Sequence, residues 1–170
     1  SVIAARGLDG AVACYDPPEN IHRDGILDVS RVPAAIADDL ADAARAKAMR
    51  IALALDYIGV IGVELFILRD GSLAVNEFAP RVHNSGHWTL DACAVSQFEQ
   101  HIRAICGWPL GDASRHSDAE MRNLIGDDVA QWAEYARQAG TCLHLYGKDA
   151  PRPGRKMGHV TRLTPKGHTQ

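Results

Sequence analysis

Two Asp-Gly pairs, Asp9-Gly10 and Asp70-Gly71, each stand between two short apolar runs, and nothing else limits the possible folds so strongly. Asp-Gly reverses an extended chain tightly, so each pair predicts a β-hairpin and therefore antiparallel pairing. The first hairpin joins residues 1–6 to 11–15, and the second joins residues 60–68 to 72–78. Residues 19–29 read as one further strand, with His22 inside it.

Helical patterns lie between these strands. Pro33 is expected to open a helix of about 23 residues, because Ile36, Leu40, Ala44, Ala48, Ile51 and Leu55 recur at three- and four-residue steps. A second helix is predicted from Leu90 to Cys106, stopped by Gly107 and Pro109. A strand over 119–125, a short helix over 128–138, and strands over 141–146 and 156–163 complete the reading. Hairpins interspersed with helices define an α+β fold with a mostly antiparallel sheet. The clearest seam, residues 107–117, divides the chain into 1–110 and a smaller β-rich unit, 111–170.

A net charge of −3 provides no basic field for nucleic acid or an anionic membrane, so phosphate recognition is expected to be local. Cys14, Cys93, Cys106 and Cys142 form no CxxC pair and read as reduced thiols of a cytoplasmic protein. With no long apolar stretch and no signal peptide, no membrane partner is expected. Ser1 begins as though in mid-strand, so the chain is read as a piece of a longer protein.

The second hairpin permits a geometric deduction. A two-residue loop at Asp70-Gly71 sets Glu64 opposite Glu77, Phe66 opposite Val75 and Leu68 opposite Leu73, with Asn76 on the other face. Facing carboxylates, with Cβ atoms about 5 Å apart, destabilise a sheet unless a cation or a shared proton compensates. Mg²⁺ suits such a pair, since it takes carboxylate oxygens and keeps positions open for phosphates. A slipped register, or two solvated glutamates at an edge, is the competing reading. The crowd that follows favours a site: Arg81 can grip carboxylate, bicarbonate or phosphate bidentately, and His83, Asn84 and Ser85 stand beside it. Each also has an ordinary role, with His83, Ser85 or Thr89 capping the next helix. Residues 148–159 bring Lys148, Arg152, Arg155 and Lys156 together with two glycines, which is either a phosphate cradle or a solvated turn.

Here the residues become specific. Gly62-Val63-Glu64-Leu65-Phe66, NEFAPRVHNSGHW from Asn76 to Trp88, Ser96-Gln97-Phe98-Glu99, Asn123-Leu124-Ile125-Gly126 and RPGRKMGH from Arg152 to His159 resemble the carboxyaminoimidazole ribonucleotide synthetase family of ATP-grasp ligases. The resemblance runs over essentially the whole chain. It implies an ATP-grasp C-terminal subdomain followed by a small β-rich subdomain. The implied activity is ATP-dependent joining of bicarbonate to the amine of 5-aminoimidazole ribonucleotide in purine synthesis. By the same resemblance, Glu64 and Glu77 would hold Mg²⁺, and His22, Asn76 and Glu77 would contact ATP. Arg81 and His83 would be catalytic, holding bicarbonate or carboxyphosphate with Asn84. Asn84 and Ser85 would touch substrate, and Lys148 and Arg155 would take the ribonucleotide phosphate. A homodimer is implied for the full-length form. The N-terminal domain and the lid of the family are not matched, so this chain alone is expected to be inactive. The alternatives are another ATP-grasp carboxylase or formyltransferase, against which the 148–159 cluster argues, and a non-catalytic nucleotide-binding module.

Overall fold

The first Asp-Gly turn folds as its residues predict: β1 (Val2–Arg6) runs antiparallel to β2 (Val12–Cys14), with Arg6 opposite Val12. The computed structural model describes residues 1–167. Residues 19–29 form two strands where the sequence suggested one, because β3 (Glu19–Arg23) turns at Asp24-Gly25 into β4 (Ile26–Val32). Both turn residues take positive φ, 52° and 75°, as a type I′ turn demands.

The long helix, α1 (Asp38–Ala54), starts well after Pro33. Pro33 belongs instead to the link after β4, where the Ala34 N–H donates to the Pro17 carbonyl at 3.1 Å. Asp38 and Asp39 then supply the acidic first turn that complements the helix dipole. Ala44, Ala48 and Ala52 are buried at four-residue steps, whereas Leu55, predicted on the same stripe, caps the helix end and is 49% exposed. β5 (Gly59–Ile67) and β6 (Leu73–Ala79) complete a four-stranded sheet in the order β2-β1-β5-β6.

The predicted helix over 90–106 is broken into α2 (Thr89–Ala92) and α3 (Gln97–Ile105). Cys93 leaves the helix to bridge Arg115, and Ser96 restarts it by accepting the Glu99 N–H at 3.3 Å. After Gly107, at φ +70°, come β7 (Ser117–Ile125), a 3₁₀ turn (Gly126–Gln131), α4 (Trp132–Ala136), β8 (Thr141–Leu145) and β9 (Lys156–Pro165). They build a five-stranded sheet in the order β3-β4-β7-β9-β8. This sheet crosses the division expected near residue 110, since β4 from the first part pairs with β7 from the second, Val29 opposite Arg122. Every strand pairing among the described residues is antiparallel, so the α+β reading holds.

α1 covers one face of the four-stranded sheet, where its alanines meet Val2, Ala4, Ile61 and Val63. The other face packs Trp88, Tyr15 and Ile3 against Val32, Ala119 and Met121 of the five-stranded sheet. Of the three tryptophans only Trp88 is buried; its ring meets that of Tyr15 edge-on, centroids 6.3 Å apart. No helix among the described residues is long and apolar enough to cross a membrane. The four cysteines are unpaired.

Candidate functional site

The carboxylate pair forms, but by a different route from the one deduced. The second turn holds three residues, Arg69-Asp70-Gly71, with the Leu68 N–H donating to the Ser72 carbonyl at 2.8 Å and Gly71 at φ +81°. Asp70 Oδ1 steadies it by accepting the Ser72 N–H at 2.9 Å and the Ser72 hydroxyl at 2.6 Å. The tip is therefore one residue out of the predicted register, pairing Phe66 with Ala74 and Leu65 with Val75. A β-bulge then takes up Asn76 and restores the register, so Glu64 faces Glu77 after all. The bulge also corrects the expected orientation of Asn76, whose Nδ2 donates to Glu64 Oε2 at 3.3 Å.

Residues 80–88 are pinned rather than loose. Tyr57 Oη donates to the Pro80 carbonyl at 2.8 Å. Buried Gln97 grips the backbone of His83 from both sides, accepting its N–H at 2.9 Å and donating to its carbonyl at 2.7 Å. Gly62 on β5 makes room, because a Cβ there would lie 2.6 Å from His83 Cβ. His83 Nδ1 accepts the Ser85 N–H at 3.4 Å and the Ser85 hydroxyl at 2.9 Å, which leaves the ring proton on Nε2. That Nε2 is 3.8 Å from Glu64 Oε1, beyond hydrogen-bond reach. Burial holds the His83 pKa below the ordinary histidine value, against the opposing pull of Glu64. His83 is thus a neutral N–H donor aimed at anionic oxygens, and neither half of an ion pair nor a ready metal ligand. Arg81 is exposed and bonds the Val82 carbonyl at 3.0 Å through Nη1, which leaves its other donors to the cleft.

The two expected substrate contacts are placed differently: Asn84 lines the cleft that holds the carboxylate pair, and Ser85 does not. Ser85 is fully buried, its hydroxyl held between Ser1 Oγ (2.8 Å) and His83. Asn84 spends its amide on Asn123 and His87. Polar residues in a crowded loop look alike in sequence whether they meet a ligand or tie the loop down.

The cleft above the pair has a volume of about 900 Å³. Its polar lining is Glu64, Glu77, Asn76 and Asn84, the cations Arg81, Lys148 and Lys156, and the imidazoles of His22 and His83. Lys148 is steadied by donating to the Lys156 carbonyl at 2.5 Å, with its ammonium 5.4 Å from the Tyr146 ring centre. Arg155 does not line the cleft, and its Nη1 bonds the Ala150 carbonyl at 3.2 Å. Lys156, which the sequence reading did not single out, stands there instead. Burial pushes its pKa down while Glu64 pulls it up. A smaller recess of about 380 Å³ adjoins, sharing His22, Glu64 and Asn76, and its far walls, Pro17, Ile36 and Leu73 among them, are apolar.

Among the candidate ligand atoms, a carboxylate oxygen of Glu64, one of Glu77 and a ring nitrogen of His83 lie within 4.8 Å of one another. Because His83 carries its proton on Nε2, the donor set is two carboxylates, which fits a hard divalent cation of the Mg²⁺ kind.

Facing carboxylates on a hairpin, in a cleft lined also by cations, suit a divalent cation bound to a phosphate-bearing ligand. Residues 1–98 match the ATP-grasp domain, and the chain belongs to that family. Residues 119–169 match the phosphoribosylaminoimidazole carboxylase C-terminal domain. The particular likeness is to N5-carboxyaminoimidazole ribonucleotide synthase: the Brucella melitensis protein of that name is 59% identical, over 98% of this chain and 46% of its own length. The Bacillus subtilis protein is 45% identical, over 95% of this chain and 43% of its own. Among solved structures, N5-carboxyaminoimidazole synthase from Aspergillus clavatus in complex with ADP and 5-aminoimidazole ribonucleotide has a TM-score of 0.92 at 38% identity. That alignment covers 98% of this chain and 47% of the other. The chain spans less than half the length of these relatives.

Proposed function

We propose that this chain forms the metal- and acceptor-holding part of an ATP-dependent carbon–nitrogen ligase, which joins bicarbonate to the exocyclic amine of 5-aminoimidazole ribonucleotide while ATP is split to ADP and phosphate. The observation that carries this reading is the Glu64–Glu77 pair in a cleft lined also by Arg81, His83, Lys148 and Lys156. Residues 1–110 supply the nucleotide side and the loop of residues 147–156 supplies the ribonucleotide phosphate side. The reading carries with it a cytoplasmic setting, in keeping with four unpaired thiols, and a homodimer for the longer form.

Each residue has a task in placement and charge. Glu64 and Glu77 would hold Mg²⁺, which when bound neutralises the polyphosphate. Asn76, bonded to Glu64, keeps that carboxylate turned to the site. The apolar recess beside His22 suits a purine ring. Arg81 and the Nε2–H of His83 bind the oxygens of bicarbonate or its phosphorylated form, and the loop's rigid attachment fixes them before ligand arrives. Lys148 and Lys156 meet the phosphate of the ribonucleotide and orient its amine toward the carboxyl carbon.

Calorimetric titration of Mg²⁺·ADP and of 5-aminoimidazole ribonucleotide tests the reading, in this chain and in one extended to its relatives' length, each with and without Glu77→Gln. Binding by the extended chain whose metal-dependent part disappears in the variant is the expected result. Absence of nucleotide binding in both would replace the reading with a non-catalytic module.

A further inference from the structure

Three strands of the five-stranded sheet present a row of polar side chains: Asn123 of β7 stands opposite His159 of β9, which stands opposite His144 of β8. Asn123 and His159 are 0% and 1% exposed. This row, with Tyr146 beyond β8, meets the segment 84–91 at three points. Asn84 and Asn123 exchange two hydrogen bonds between their side-chain amides, at 2.9 and 2.7 Å. Tyr146 Oη lies 3.0 Å from His87 Nδ1 and 2.8 Å from His159 Nδ1. His144 Nε2 lies 2.9 and 3.1 Å from the two oxygens of Asp91. Asp91, His144 and His159 come close enough for a metal, but the two rings are stacked at 16° with centroids 4.5 Å apart. Their nitrogens therefore point side by side rather than at a common centre, and His144 is already spent on Asp91.

The direction of every bond in the first two ties follows from one carbonyl. Leu27 O accepts from Asn123 Nδ2 at 2.9 Å, which fixes the Asn123 amide and, through the reciprocal pair, that of Asn84. Asn84 Nδ2 then faces His87 Nδ1 at 3.2 Å as a donor, so that nitrogen bears no proton. Tyr146 can only donate to it, and must accept from His159 Nδ1–H. His159 Nε2 is left an unprotonated acceptor, consistent with its being buried without a partner. Burial lowers the pKa of His87 to about 4 and of His159 to about 3, so both rings are neutral and each tautomer is single.

We infer that Asn123 and Tyr146 are positioning residues: through Asn84 and His87 they lock the 81–87 loop to the five-stranded sheet and so hold Arg81 and His83 over the carboxylate pair. The sheet that supplies Lys156 and, just beyond β8, Lys148 thereby sets the register of the loop that faces them. This rests on reading the cleft as the bicarbonate and ribonucleotide site.

Two experiments test it separately from that reading. In the 170-residue chain labelled with ¹⁵N-histidine, NMR at neutral pH should show His87 unprotonated at Nδ1 and His159 protonated there, and Tyr146→Phe should shift the His83 imidazole resonances. The opposite tautomers, or unmoved His83 resonances, would overturn the inference. In the extended chain, Tyr146→Phe and Asn123→Asp should raise KM for bicarbonate roughly tenfold to a hundredfold while KM for ATP stays within about twofold. A merely structural role would lower thermal stability and leave both constants alone, which would also overturn it. If the unsubstituted extended chain turns over no ATP with the ribonucleotide, the functional reading falls and the NMR result decides the positioning.

Discussion

Neither glutamate forms an ion pair with a Lys or Arg among the described residues; Glu64 has the neutral His83 at 3.8 Å and the charge of Lys156 farther off. Directly opposed like charges cost a sheet roughly 0.2–1 kcal/mol. Glu77→Gln is therefore expected to raise the melting temperature of the metal-free protein slightly and to abolish the further rise that Mg²⁺ gives; thermal melts with and without the ion check both. His87 and His159 make a second prediction. In the unfolded chain both titrate near 6.5, but in the fold only at about 4 and about 3. Below pH 6.5 the unfolded state binds more protons, so their contribution is complete above that value and is lost as pH falls toward 4. The slope reaches about 1.4 kcal/mol per pH unit for each ring. Urea midpoints at pH 7.5 and 5 should therefore fall less in His159→Gln than in the unsubstituted chain. At this scale the sequence revealed Glu64, Glu77, Arg81, His83, His22 and Lys148, all of which line the cleft. It could not reveal that Ser85 faces a neighbour, nor that Asn84 both lines the cleft and is tied to Asn123, nor which of Arg155 and Lys156 turns inward, because these questions depend on strands far away in the chain.

Hairpins were the legible elements, since Asp-Gly carries its own turn geometry. The third, at Asp24-Gly25, escaped because the polar run Glu19–Arg23 before it hides the alternation on that side. The Asn76 bulge carries no marker in sequence: a residue is absorbed there because the three-residue turn below must be reconciled with the packing of β5 above. Two deviations cancel, and the deduced pairing of Glu64 with Glu77 survives both. The break before α3 was legible in retrospect, as Ser96 followed by Glu99 is a helix-start signal inside an otherwise helical pattern. Ser96→Ala removes that cap and is expected to cost about 1 kcal/mol, measured by urea denaturation, with the Ser96→Asp variant retaining most of it.

Over the whole molecule, one apolar cluster contains residues of both sheets, Ile3 and Val60 beside Val32 and Met121. The chain is accordingly expected to melt in a single calorimetric transition, and a piece ending at residue 110 to remain unfolded, because β4 would lose β7 over Val29–Val32 and the shared cluster would lose Ala119 and Met121. Two separated transitions, or a folded 1–110 piece, would contradict this.

The same threading has a consequence during synthesis. β3 and β4 leave the ribosome about 85 residues before β7 begins, and at roughly 5–20 residues per second the open edge of β4 waits on the order of 4–17 s for its partner. Through that interval the nascent chain exposes a strand edge backed by Leu27 and Val29, which other chains can pair with. Rapid translation of the α1-to-α3 stretch, or a chaperone bound to it, is then as much a condition of a working cleft as the residues that line it.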